Sequence, residues 1–203
     1  MTPPDSPFLD VYKRLMQAFG PQNWWPAESP FEVVVGAILT QNTSWTNVEK
    51  AIENLKRHPF SAEDLFDLEA EEMAGRIKSA GYFNVKTRRL KAFLGYFLER
   101  YDGSLEAMKR VPLEFLRSEL LTVKGIGQET ADCILLYALG RPIFVVDAYT
   151  RRIFGRLALL DAEAPYQEVQ GTISDALPED VELFNEYHAL VVVLGKDICR
   201  PKP

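Results

Sequence analysis

The chain has 203 residues, with 23 Lys+Arg against 29 Asp+Glu and a formal net charge of −6, a length that suits one domain or two small lobes. Hydrophobic residues make up 47% and charged residues 26%, which excludes a disordered chain, and no run approaches the ~18 apolar residues of a membrane span. Two cysteines, Cys133 and Cys199, exclude a disulfide framework and any four-cysteine metal site within these residues, while the acidic balance counts against a nucleic-acid binder that works by bulk positive charge.

Met1–Pro7 has neither the basic nor the apolar region of a signal peptide, so a cytoplasmic location is expected. The periodicity that follows is helical almost throughout. Phe8, Leu9, Tyr12, Leu15, Met16 and Phe19 recur at three- and four-residue spacing, with Gly20-Pro21 as a stop. Phe31–Leu39 is apolar on nearly every face and reads as a buried central helix, with Ser29 as N-cap and Pro30 at its first position. Ala51, Ile52 and Leu55 mark the next helix, and Ser61 precedes another. Met73, Ile77 and Gly81 mark a further helix and its end.

Leu90, Phe93, Leu94, Phe97, Leu98 and Tyr101 make the clearest amphipathic stripe, closed by Gly103. Pro112 opens a helix through Leu116 and Leu120, and a turn at Lys124–Gly127 leads into an apolar helix from Thr130 to Leu139. Tyr149, Ile153 and Leu157 follow at helical spacing, then Tyr166, Val169, Ile173 and Leu177, then a last helix over about 181–194. Ile143–Val146 is strand-like, but four residues without a partner make no sheet. The fold class expected is all-α.

Two motifs carry chemistry. Gly125-Ile126-Gly127 lies between two helices, where glycines let the backbone turn tightly and approach another group. The helix that follows leaves its first N–H groups open and carries partial positive charge there, a natural phosphate site. Leu121 and Ile126 are suited to anchor the turn. An ordinary helix–turn–helix corner is the plainer alternative. Asp147 closes the apolar run Phe144-Val-Val and precedes a helix start, so it reads as an N-cap or as a catalytic carboxylate.

Taken together, Leu121–Ala131, Val145–Ala148, Ser29–Val33, Ile38–Thr43 and Gly81–Thr87 resemble the helix-hairpin-helix DNA glycosylases of the endonuclease III superfamily, over nearly the whole chain. The resemblance implies two helical lobes with a cleft between them. Residues 29–132 would form a six-helix lobe ending in the hairpin, and 1–28 with 133–203 the second lobe. It implies damaged double-stranded DNA as partner, a monomer, and a nucleotide flipped from the duplex. The aspartate at position 147 would then assist cleavage of the N-glycosidic bond by stabilising charge on the sugar and activating water.

Bifunctional members place a nucleophilic lysine two residues after the second hairpin glycine. Here that position is Glu129, which forms no imine, so the resemblance implies a monofunctional enzyme without lyase activity. Glu129 is either an auxiliary carboxylate or a charge suited to the helix dipole. Lys124, Gly125, Ile126, Gly127 and Thr130, with Lys86 and Arg88, are the expected phosphate contacts, although a solvated helix face suits the basic pair as well. Gln41 would fill the space left by the flipped base, with Asn42 beside it, or either residue caps the central helix.

Trp24-Trp25-Pro26 and Trp45 contain every tryptophan of the chain. They suit a pocket that sandwiches a flipped base, or a seal between lobes. Trp24–Pro26, Leu39–Thr43 and Gly125–Asp132 look most like the 3-methyladenine DNA glycosylase III type. Methylation at N3 makes adenine cationic, and an indole face attracts that ring. Oxidised-pyrimidine or mismatch excision is the enzymatic alternative, and a non-catalytic DNA-binding module the other.

Many relatives hold an iron–sulfur cluster with four C-terminal cysteines. Cys199 matches the first ligand, and a [4Fe–4S] cluster is expected only if the native chain extends past Pro203. His58 and His188 show no ligand spacing and read as structural or solvated. The acidic residues are expected away from the DNA-facing side, with Lys124, Lys86 and Arg88 near it.

Overall fold

The structure, a computed structural model, describes residues 6–201. The leader reading at Met1–Pro7 and the end of the stretch toward Pro203 fall largely outside those residues. Every regular element among the described residues is helical, as the periodicity requires. None of these helices is long and apolar enough to cross a membrane. The chain divides into two compact units, one from Ala27–Leu139 and one that joins the residues up to Pro26 with those from Gly140 onward. The first unit thus continues past residue 132, because the helix that follows the hairpin runs on through an apolar π-helical turn at Ile134–Ala138.

In the unit from Ala27, helix α2 (Pro30–Leu39) is the central element. Val33 to Leu39 are all buried, and Ser29 Oγ accepts from the Glu32 amide at 3.2 Å. Lys56 holds this helix start, with Nζ 2.8 Å from Glu28 and 2.6 Å from Glu32. Around α2 pack α3 (Trp45–Leu55), α6 (Phe83–Tyr101) and α9 (Gln128–Cys133) with its π-helical continuation. Helices α4 (Ala62–Asp67) and α5 (Ala70–Arg76) lie against α6. Ser61 caps α4 through the Asp64 amide, as its position predicts.

Helix α7 (Leu105–Lys109) is an addition to the sequence reading. Its signal is confined to a Ser104 cap and one buried side chain, Met108. Helix α8 (Leu113–Thr122) precedes the hairpin and is locked to α9 by a buried bidentate pair. Arg117 Nε lies 2.7 Å from Asp132 Oδ1, and its Nη2 lies 3.0 Å from Oδ2.

The other unit holds α1 (Pro7–Phe19), α10 (Ala148–Arg156), α11 (Tyr166–Asp175) and α12 (Val181–Asp197). Helix α12 packs on both α1 and α10. An aromatic core of Phe8, Phe144, Phe154, Phe184 and Tyr187 joins them, and the Tyr187 hydroxyl donates to the Phe8 carbonyl at 2.7 Å. Ile143–Val146 is buried and non-helical, without a strand partner among the described residues. Side chains of α11 satisfy its backbone instead: Gln170 Nε2 donates to the Phe144 carbonyl at 2.6 Å, and the Val146 amide donates to Tyr166 Oη at 3.2 Å.

Candidate active site

The buried strap 143–146 delivers Asp147 to the start of α10. Its Oδ1 accepts from the Thr150 amide at 2.7 Å and from the Thr150 hydroxyl at 2.9 Å, so the residue is a true N-cap. That bonding uses one oxygen. The other, Oδ2, lies 3.6 Å from Nε2 of His188 on α12, at ion-pair range and beyond a hydrogen bond. Burial pushes the Asp147 carboxyl up, but the adjacent imidazole and the two Thr150 donors outweigh it and hold the group below the ordinary carboxylate value.

His188 is a residue that sequence reasoning missed. It is buried rather than solvated, and no local motif surrounds it. The one signal is periodic: His188 and Gly195 stand seven residues apart, two turns along one helix face. At Gly195 a Cβ would lie 2.9 Å from Tyr149 Cβ, so this face of α12 approaches α10 closely. Arg152 reinforces the approach by donating to the Gly195 carbonyl at 2.7 Å and the Cys199 carbonyl at 2.9 Å.

In the other unit the hairpin turns through Gly125, whose φ of +94° few side chains adopt. A Cβ there would also overlap Cγ of Arg89 and lie 2.9 Å from its Cδ. Ile126 is buried and anchors the turn, while Leu121 is half-buried and the deeper apolar contacts come from Leu120 and Val123. Gly127 is the N-cap of α9, and a Cβ at that position would meet nothing within 4 Å. Lys124 is exposed at the turn.

Three residues expected to contact DNA have partners within the protein. Lys86 is 1% exposed, and its Nζ donates to the carbonyls of Leu39 at 2.8 Å and Ala80 at 2.7 Å. Burial first, then the charge of Arg89, lowers its pKa. It closes the ends of α2 and of the 3₁₀ turn Lys78–Ala80. Gln41, expected to project into DNA, is strapped to the hairpin. Its Nε2 donates to the Gly125 carbonyl at 3.1 Å and to Thr130 Oγ1 at 2.9 Å, and its Oε1 accepts from Arg89. The Thr130 hydroxyl is therefore engaged within the protein, and the residue is buried.

Arg88 and Glu129 are exposed, as is Asn42, which sits at φ +54° on the corner after α2. Trp24 and Trp25 are half-buried in the unit of Asp147, with ring centroids 5.3 Å apart at 57°. Pro26 beside them is exposed. Trp45 opens α3 in the other unit, where its Nε1 donates to Glu49 at 2.7 Å.

The described residues do not fit a four-cysteine cluster. Cys199 Sγ accepts from Arg156 at 3.1 Å, Cys133 is buried on α9, and no three His, Cys, Asp or Glu side chains among the described residues come together as a metal site.

Comparison with known proteins places this geometry. A profile of the HhH-GPD superfamily of base excision DNA repair proteins matches residues 35–179. A Methanocaldococcus jannaschii protein named "putative DNA repair glycosylase" is 48% identical over 195 residues, covering 95% of this chain and 88% of that protein. Endonuclease III of Thermotoga maritima is 30% identical over 173 residues, covering 85% of this chain and 76% of its own length. The crystal structure of the H. pylori 3-methyladenine DNA glycosylase MagIII, bound to 1,N6-ethenoadenine, superposes with a TM-score of 0.81 at 28% identity, covering 93% of this chain and 97% of the other. The chain belongs to the HhH-GPD superfamily of base excision repair proteins and is a DNA glycosylase of that family.

Proposed function

We propose that this glycosylase is monofunctional and hydrolyses the N-glycosidic bond of alkylated purines flipped from duplex DNA. The observation that carries the reading is the division of labour at Asp147. One oxygen is committed to the α10 start, and the other lies 3.6 Å from His188 in a carboxyl held below its ordinary pKa. In this mechanism Oδ2 stabilises positive charge on the sugar and takes the proton of a water that attacks C1′. The electrons of the N-glycosidic bond leave with the base. A base cationic through methylation departs neutral, so a carboxylate without a dedicated general acid suffices.

The exposed Glu129 stands where a lyase carries its nucleophilic lysine, which supports water as the nucleophile. The indoles of Trp24 and Trp25, in the same unit as Asp147, supply electron-rich faces for a cationic ring, worth about 1 kcal/mol or more when desolvated. The ethenoadenine complex of the H. pylori protein supports the same substrate class. On the hairpin, the backbone from Lys124 to Gly127 serves as a phosphate clamp, with Lys124 and Arg88 as accessible cations.

The test is base release from duplexes carrying 3-methyladenine, ethenoadenine or thymine glycol. Release of the alkylated purines, no adduct on borohydride trapping, and a fall of about 10²–10⁴-fold for Asp147→Asn are expected. Preferential release of thymine glycol would favour the endonuclease III reading. A trapped covalent adduct would end the monofunctional one.

A further inference from the structure

We infer that His188 is the positioning residue of the reaction: from α12 it stands against Oδ2, the oxygen of Asp147 that Thr150 leaves open. The inference rests on Asp147 being the catalytic carboxylate. Two donors from Thr150 fix only one oxygen, so the carboxylate plane needs a second group on its far side. His188 supplies it from a rigid support. It is buried beside Tyr187, whose hydroxyl ties α12 to the Phe8 carbonyl of α1. Two turns along, Gly195 packs against Tyr149, and Arg152 clamps the same stretch. The 3.6 Å separation is thus set by helix packing, which holds a reacting group more tightly than a loop does.

Four other charged or titratable groups on these elements have partners of their own. Arg151 donates to the carbonyls of Ala162 and Ala164, and Arg152 to those of Gly195 and Cys199. Glu186 accepts from the Gln22 amide, and Tyr12 of α1 packs on Tyr187. His188 and Thr150 are therefore what Asp147 meets. An imidazole there aims Oδ2, favours its ionised form when protonated, and when neutral can take on the proton that Oδ2 receives from water.

The experiment follows the Asp147 carboxyl by ¹³C NMR through a pH titration, in the wild type, His188→Gln and His188→Phe. Base release from 3-methyladenine DNA is measured over the same range. The wild-type carboxyl is expected to titrate below the ordinary value, and His188→Phe to raise that midpoint by about one pH unit. The acid limb of kcat/KM should move up with it, and His188→Gln, which keeps an amide donor, should restore part of the loss. An Asp147 titration and acid limb unmoved in both variants would overturn the inference. If neither variant folds, the wild type decides by the His188 ring in a ¹⁵N NMR titration: an imidazole step mirrored in the Asp147 carboxyl shift upholds the inference, and two independent titrations overturn it. The two readings stay separable, because unchanged base release by Asp147→Asn removes the catalytic role while the carboxyl titration still reports the pairing.

Discussion

The starts of α9 and α10 make an instructive pair, since both follow a short non-helical approach and both present a helix N-terminus. At α9 the capping residue is Gly127, with no side chain and open space around its Cα. At α10 it is Asp147, whose own carboxylate takes the Thr150 amide. The same partial positive charge is thus left to an outside anion in one place and met from within in the other. On the function proposed above the bare terminus serves a phosphate, whereas the self-capped one holds a carboxylate in a fixed pose and favours its ionised form.

Exchanging the two conditions is the sharpest way to break the contrast. Gly127→Asp should fold normally, because φ −94° and ψ 178° at this position suit any N-cap residue. Its affinity for duplex DNA, read by fluorescence anisotropy, should fall by more than about tenfold as a carboxylate replaces the phosphate. Gly125→Ala, two residues earlier, should behave oppositely. Its φ of +94° and the packing of Arg89 make it lose about 1–3 kcal/mol of stability, seen as a lower Tm.

The cations extend the comparison. Lys86→Met should cost about 2–4 kcal/mol of stability, since the Leu39 and Ala80 carbonyls lose their buried donor. The folded fraction should bind DNA as before. Arg88→Ala should leave Tm unchanged and flatten the salt dependence of binding by about one phosphate contact. Equal effects of the two substitutions on affinity would mean that both side chains reach DNA.

The smallest effect concerns acid. Asp147 titrates below its ordinary value in the folded chain, so its ionised form stabilises the fold at neutral pH. That contribution fades as pH falls through the ordinary carboxylate value and is gone below the folded one. Asn keeps the cap without the charge. The wild type should therefore exceed Asp147→Asn in Tm at neutral pH, with the gap closing as pH falls through and below the ordinary carboxylate value.

Local patterns were legible in the chain itself. The caps at Ser29 and Ser61 form as read, because their partners lie three residues away. Glycine spacing marked the hairpin, and the apolar run before Asp147 marked the helix it caps. Helix α7 escaped because five residues with one buried side chain carry almost no period.

What the sequence determined by itself was the all-helical fold, the hairpin and the carboxylate, since each follows from neighbours within a turn or two. What the tertiary structure alone decided was where the side chains go. Lys86 is buried because carbonyls from two distant segments converge on it. Gln41 is drawn to the hairpin because Gly125, Thr130 and Arg89 meet around it. His188 stands at Asp147 because Gly195 lets α12 close on α10. A side chain's periodic position says which way it faces, and only the packed helix opposite says what it meets.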